Sequence, residues 1–359
     1  MLKALFRKLW FLCRGYVSSF AHRREGSVGF PIDFVITWVD GSDPRWLELK
    51  QRYSNDGTAE GESGECRYRD YGIFKYWFRA VETYAPWVNK VYLVTCGQVP
   101  SWLNLDHPKL VLVRHEDYIN PDFLPTFNSR AIELNFHRIK GLSEHFVYFN
   151  DDMFLTGPVS PEDFFTTNGD PKLRCIAKPV VCDPWNGLWS YQFFRMIGLM
   201  KDRDWTNGIE RHPEKWFSHK WGARGIMYNW GAYLHDYPLG MEFSHVGQPV
   251  RKATVGKIWE QFREQAEETS KHRFRAWNDL SQFIFLLFEI ASDSWSPDHM
   301  HSEYIEFQET EKLQSALFDS TIKQICLNDT YRNVGFESRV KRILDLFERK
   351  FPGKCSLEY

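Results

Sequence analysis

No apolar run in this sequence reaches the ~20 residues that a membrane-spanning helix requires. Charge of one sign is also lacking. Its 359 residues carry 45 Lys and Arg against 47 Asp and Glu, a net charge of −2, so no global basic field argues for nucleic acid, and anionic partners must be met by local basic groups. The seven cysteines (13, 66, 96, 175, 182, 326, 355) are odd in number and scattered. They form no CxxC pair and no zinc-ligand spacing, which makes a reducing cytoplasm the simplest compartment. There is no internal repeat. Aromatic residues are abundant, at 17% with 15 Trp, and such rings build pockets as well as cores. The length gives a soft prior of two or so structural units, and a single elaborated catalytic domain fits as well.

The opening "MLKALFRKLWFLCRGYVSSFAHRR" has no small-residue cleavage site, and Arg7, Lys8 and Arg14 interrupt its apolar stretch, so it makes a poor signal peptide. Leu2, Leu5, Phe6, Leu9 and Cys13 recur at helical spacing with Lys3, Arg7, Lys8 and Arg14 around them. This pattern suits a helix lying on an anionic membrane surface, or a frayed or core-docked N-terminal helix.

Residues 34 to 39 ("FVITWV") read as a buried strand ended by the turn signal "DGSDP". The polar stretch from Ser54 to Glu65 reads as a surface loop. Ile73, Phe74, Trp77, Phe78, Val81 and Tyr84 share a helical face closed by Pro86. "KVYLVTCG", "KLVLV" and "HFVYF" are strand candidates, while Ile132, Phe136 and Ile139 predict a helix from Asn128 or Ser129 to Gly141. Strands alternating with helices indicate an α/β domain with a largely parallel sheet, whose ligands gather beyond the carboxyl ends of the strands. From about 157 to 240 the pattern turns irregular and rich in Trp, Pro and Gly, as in an insertion that covers or shapes a site. A long helical pattern begins near Lys257, pauses around "KHRFRAWND" and resumes through Leu280, Phe283, Ile284, Leu287 and Phe288, with Asn278 as its N-cap. A last amphipathic stretch, Val340 to Phe351, is expected to pack on the domain. The division expected is a basic amphipathic segment at 1–30, a catalytic unit at 31–335 and a C-terminal helix at 336–359.

"FVYFNDDMFL" (146–155) carries the clearest chemistry. Adjacent carboxylates at a strand end cannot both enter an apolar core without heavy desolvation, so Asn150, Asp151 and Asp152 face solvent, a cation or a ligand, or else form an acidic turn. Mg²⁺ prefers such oxygens together with substrate phosphates. In "TWVDGSDP", Asp40 and Asp43 suit a nucleotide-side loop or an ordinary Asx-turn. "FSHVGQPVRKAT" sets His245 near Arg251 and Lys252, and "KHRFRAWND" sets Arg273 and Arg275 ahead of a helix start, where anions bind readily. A His in such a group can act as general base or acid, or be merely structural. "CLND" puts Asn328 and Asp329 after another short apolar run.

Together these segments resemble the Stealth family of hexose-1-phosphate transferases, which includes bacterial capsular polysaccharide phosphotransferases. Its four ordered blocks look here like "IDFVITWVDGSDP" (32 to 44), residues 67 to 155, residues 243 to 283, and "CLND" (326 to 329). The resemblance implies a GT-A-like, Rossmann-type nucleotide-sugar core with a mostly helical, aromatic-rich insertion and C-terminal helices. It implies transfer of a sugar 1-phosphate from a UDP-sugar to a glycan hydroxyl with release of UMP, in capsular or cell-surface polysaccharide synthesis. Matched residue by residue, it assigns catalysis to Asn150, Asp152, His245 and Arg275, and substrate binding to Trp38, Asp40, Asp43, Asp70, Asn128, Asp279 and Asn328. Mg²⁺ or Mn²⁺ falls to Asp151, Asp152 and Asp329. Arg275 is preferred to Arg273 because it lies nearer Asn278 and Asp279. The family's His, any residue, Pro pattern reads here His245, Val246, Gly247, with proline only at Pro249. The cysteines point to the cytoplasm, the N-terminal stripe leaves peripheral contact with an anionic membrane open, and export machinery and an oligomer are open as partners. A UDP-releasing glycosyltransferase or a non-catalytic glycan-binding scaffold are the alternatives.

Overall fold

In the computed structural model, residues 2–21, 26–54, 64, 67–181, 187–297, 300–329 and 336–359 are described. Most of the polar stretch expected as a surface loop lies outside them. The β-branched and aromatic runs become strands β1 (Ile32–Thr37), β2 (Val91–Thr95), β3 (Leu110–Arg114) and β4 (His145–Phe149). After these come β5 (Met153–Leu155), β6 (Lys172–Leu173), β7 (Gln248–Arg251), β8 (Ser296–Pro297), β9 (Ser302–Glu306) and β10 (Gln324–Asn328). The main sheet runs β3-β2-β1-β4-β7. Its first four strands are parallel, and β7 joins β4 antiparallel. This is a mixed α/β fold with a mostly parallel central sheet, consistent with a GT-A-like Rossmann core. Since β2 lies on one side of β1 and β4 on the other, strand order reverses there, and a crevice opens beyond the carboxyl ends of β1 and β4. A smaller sheet, β5-β10-β9, lies alongside.

Period-two alternation divides the core between the faces of the main sheet. Val35, Tyr92, Val94, Phe146 and Tyr148 pack toward the insertion and the helices after β7. Phe34, Ile36, Leu93, Val147 and Phe149 pack toward the helix Phe74–Tyr84, the small sheet and the C-terminal helix. That last helix, Phe336–Lys350, buries Ile343, Leu346 and Phe347. Phe347 stacks on Tyr76 at 5.5 Å between centroids and meets Phe154 at 4.8 Å.

Several boundaries differ from the sequence reading. The first strand ends at Thr37; Trp38 N donates a last bond to the Val94 carbonyl at 3.1 Å, and its ring, on the face of Phe34 and Ile36, stacks on Phe74 at 5.4 Å. "DGSDP" is a helix start as well as a turn: Asp43 accepts from Arg45 N at the N-cap and Pro44 opens the helix Pro44–Tyr53. The helix expected from Asn128 to Gly141 stops at Leu134 and gives way to a 3₁₀ turn, Phe136–Arg138. Here the Asn135 side chain donates to the Ala131 carbonyl at 2.7 Å, the acceptor its own backbone N–H would have used. The long pattern near Lys257 is two helices, Lys252–Gln261 and Arg263–Lys271, and the next begins only at Phe283. Asn278 does not cap it; its amide donates to Glu268.

The insertion folds into the helices Gly187–Leu199, Trp205–Arg211, Pro213–Trp216 and Gly222–Leu234. On them lies the N-terminal helix, Leu2–Ser18. Lys8 Nζ donates to the Tyr233 carbonyl at 2.5 Å and to Asp236 at 2.7 Å, Arg7 pairs with Glu210, and Phe11 meets Tyr233 edge-on at 6.5 Å. Gly15 is buried against the Pro213 backbone so closely that a Cβ has no room. Among the described residues no helix is long and apolar enough to cross a membrane.

Candidate active site

Beyond the ends of β1 and β4 lies a cleft of about 1170 Å³, lined among others by Trp38, Asp70, Asn150, Asp151, Asp152, His245, Arg275, Asn328 and Asp329. The acidic turn follows β4 directly. It is closed by Met153 N donating to the Asn150 carbonyl at 3.1 Å and pinned to β10 by Leu327 N donating to the Asp152 carbonyl at 2.8 Å. A turn fastened between two sheets holds its carboxylates in one place.

Asp152 Oδ1 is buried with no hydrogen-bond partner, while Oδ2 accepts from the Cys326 thiol at 3.3 Å. Donor atoms of Asp152, His245 and Cys326 lie within 4.8 Å of one another. The Asp151 carboxyl opens on the cleft, walled in by protein. Burial, then the neighbouring Asp152 and Asp70 charges, push it well above the usual carboxylate range. Neighbouring carboxyls of Asp70, Asp151 and Asp152 and one orphaned buried oxygen make a donor set that suits a divalent cation, so the residues present fit Mg²⁺ or Mn²⁺. Cys326 departs from an all-oxygen set; its thiol is pushed up by burial and by Asp152 and stays protonated.

His245 reaches this group from the other edge. Being antiparallel, β7 starts where β4 ends, so the residues just before it arrive at the same rim. Gly247 makes that possible: its N–H donates to Gln324 Oε1 at 2.9 Å, and any Cβ would enter the Phe149 ring. This close approach accounts for glycine two residues after the histidine, with Pro249 moved into the edge strand opposite Val147. Burial, aided by Arg275, lowers the His245 pKa against the opposing pull of Asp152, which keeps the ring neutral.

Arg275 comes from the turn between the helices Arg263–Lys271 and Phe283–Ala291. It donates to Ser129 Oγ at 2.9 Å. Its charge is felt by Glu133, Asp151 and His245. No carboxylate among the described residues forms an ion pair with it, which leaves the guanidinium aimed at the cleft for an anion. Arg273 instead covers the Tyr53 ring at 4.7 Å, off the cleft.

Asn128 and Asp279 are not on the cleft wall. The fully buried Asp279 accepts from Asn128 Nδ2 at 2.9 Å, Ala276 N at 2.8 Å and His272 Nδ1 at 2.7 Å. Arg130 lies 3.5 Å away. Together they tie the Arg275 turn to the helix Ser129–Leu134, which Asn128 also caps. Asp40 and Asp43 are likewise occupied in the first loop. Asp40 accepts from Ser42 N at 2.9 Å, and Asp43 caps its helix and accepts from Gln98 at 3.1 Å. Trp38 Nε1 donates to Asp70 at 3.3 Å, and burial raises the Asp70 carboxyl. Asp329 accepts from the Tyr71 hydroxyl and from Arg69 at 3.3 Å.

Glu133 is the residue that motif reading misses. It is buried, Oε2 has no partner, and burial raises its pKa to about 7 despite the nearby Arg275. Its Oε1 accepts from the Tyr148 hydroxyl at 2.9 Å, and the same hydroxyl bonds the Asn150 amide oxygen. The one available signal is an acid among the apolar residues of "SRAIEL".

Conserved region 1 of Stealth proteins matches residues 30–58, conserved region 2 matches residues 67–173 and conserved region 3 matches residues 244–288. These stretches hold the first loop, the acidic turn, His245 and Arg275. A capsular polysaccharide phosphotransferase, WcwK of Streptococcus pneumoniae, is 36% identical over 328 residues, covering 91% of this chain and 98% of that protein. The exopolysaccharide phosphotransferase cps2G of Lactiplantibacillus plantarum is 36% identical over 92% of this chain and 96% of its own length. The receptor polysaccharide phosphotransferase WefC of Streptococcus oralis is 42% identical over 74% of this chain and 80% of its own. With full-length relatives and three regions in order, all converging on one cleft, the chain belongs to the Stealth family.

Proposed function

We propose that the protein transfers a sugar 1-phosphate from a UDP-sugar to a hydroxyl of a growing cell-surface polysaccharide, releasing UMP. The polysaccharide phosphotransferases it resembles support phosphoryl transfer of this general kind in polysaccharide synthesis. The observation that carries the finer reading is one cleft in which an acidic turn with an orphaned oxygen faces a neutral buried imidazole and an unneutralised guanidinium.

Phosphoryl transfer asks a protein mainly for positioning and for neutralising charge. Asp152, with Asp151 and Asn150, would hold the divalent cation; when bound, it neutralises phosphate charge. Arg275 suits two oxygens of one phosphate with its planar fork. His245, neutral and buried, takes the proton of the acceptor hydroxyl. The acceptor oxygen then bonds to the sugar-bearing phosphorus, the pyrophosphate P–O bond breaks, and UMP leaves. Glu133 and Tyr148 orient Asn150, while the Asn128 and Asp279 network fixes the Arg275 turn.

The test is product analysis. Purified protein is incubated with a panel of UDP-sugars, Mg²⁺ and a polysaccharide acceptor, and the nucleotide released is separated. UMP together with a new phosphodiester is the expected result. UDP would assign attack at the anomeric carbon, and no turnover of any donor would leave a glycan-binding scaffold.

A further inference from the structure

The N-terminal helix has two faces of opposite fate. Residues 8, 11, 12, 15 and 19 recur at helical spacing and are all turned into the insertion. On the far side Leu2, Leu5, Phe6, Leu9, Tyr16 and Val17 form a second stripe, from 40% exposed at Leu9 to 71% at Val17. A helix of 17 residues rises about 25 Å at 1.5 Å each, so the stripe is a ridge rather than a spot. Trp10, 56% exposed, stands beside it with the Arg14 guanidinium 5.2 Å from its ring centre. Isolated exposed apolar side chains need no explanation, whereas a continuous ridge does.

Charge decides what covers it. The helix contains Lys3, Arg7, Lys8 and Arg14 and no acidic residue. The structure uses two of these cations internally, Arg7 on Glu210 and Lys8 on Asp236. Lys3 and Arg14 remain exposed along the ridge. A second copy laid on this ridge would bring like charges together with no acid on the helix to answer them. An anionic bilayer answers both cations, takes the apolar side chains below its headgroups, and suits Trp and Tyr at that level.

We infer that the exposed face of the N-terminal helix is a membrane-docking ridge for anionic phospholipid. Because the other face is bonded to the insertion, the ridge is a fixed part of the catalytic body, and it sets the orientation of the cleft toward the bilayer. This rests on no part of the reaction proposed above.

The test is flotation of the full-length protein with vesicles of phosphatidylcholine alone and of phosphatidylcholine with one-third phosphatidylglycerol. Deleting the segment would also uncover the insertion surface around Tyr233, so point variants on the outer face are used. Wild type is expected to float with the anionic vesicles. Phe6→Glu with Val17→Glu should lose this at least tenfold, with melting temperature unchanged. Lys3→Glu with Arg14→Glu should weaken binding to anionic vesicles roughly tenfold or more while leaving the melting temperature in place. Three results would overturn the inference: no flotation of wild type, equal flotation of the Phe6 and Val17 variant, or a concentration-dependent dimer in sedimentation velocity that this variant abolishes.

Discussion

At the scale of single residues, His245 and Arg275 are expected to fail differently. His245→Ala should lower kcat by ~10²–10⁴-fold with donor affinity nearly preserved. Arg275→Lys keeps a charge but loses the fork, so donor affinity should fall along with rate. Steady-state kinetics with varied UDP-sugar separates the two, and near-normal turnover in both would remove them from the mechanism. Glu133 makes a pH prediction. Its folded-state pKa is raised to about 7 by burial, so the folded protein holds that proton more tightly than the unfolded chain does. Stability should therefore fall as pH rises from about 4.3 toward 7, by on the order of 3 kcal/mol, and this contribution should be level above that. Urea unfolding of Glu133→Gln, subtracted from wild type across pH, should show that slope; a flat difference would show the carboxyl to be paired after all. The acidic turn was legible because two adjacent acids after an apolar run stand out in any sequence. Glu133, Tyr148 and Cys326 were hidden because each lies within a buried run, and only the fold shows which of them turns toward the cleft.

At the scale of elements, strands were easy to read and helix ends were not. Strand identity follows from period-two apolar patterning, as in "HFVYF". Helix ends were decided by side-chain bonds such as Asn135 to Ala131 and Asn278 to Glu268. The Asn128 and Asp279 contact joins positions 151 apart in sequence, which spacing cannot reveal. The resemblance assigns both to substrate; the structure places both in the network that holds the turn carrying Arg275. Asp279→Ala strips a buried acid from Asn128, His272 and Arg130, at a cost on the order of 3 kcal/mol. Activity should fall further than this, even at temperatures where the variant remains folded, because the Arg275 turn loses its anchor. Calorimetry paired with rates at 10 °C checks this, and full activity in a folded variant would separate the network from the site. The Asp279 partner raises the His272 imidazole. Its contribution is thus complete below about pH 6.5 and fades as pH rises through the raised value.

At the scale of the whole molecule, burial first and then the Asp152 and Asp70 charges make an ionised Asp151 costly, and a bound divalent cation is expected to offset that cost. Mg²⁺ or Mn²⁺ should raise the melting temperature, by an amount equivalent to about 2.7 kcal/mol when free metal is 100 times its Kd. Asp152→Asn should abolish that rise together with activity, while leaving the metal-free melting temperature unchanged or higher. A metal-dependent shift that survives in Asp152→Asn would place the cation elsewhere. The reversed edge strand β7 has a wider consequence. Because it runs against β4, the chain leaves the reactive rim at the acidic turn and returns to the same rim at His245, with the whole helical insertion between. The insertion leaves the frame after β5 and rejoins it just before β7, and none of the five strands of the main sheet lies within it. Sequence change within the insertion can therefore alter what borders the cleft without touching the strand frame, provided it keeps the apolar face that packs on Val35, Tyr92, Phe146 and Tyr148.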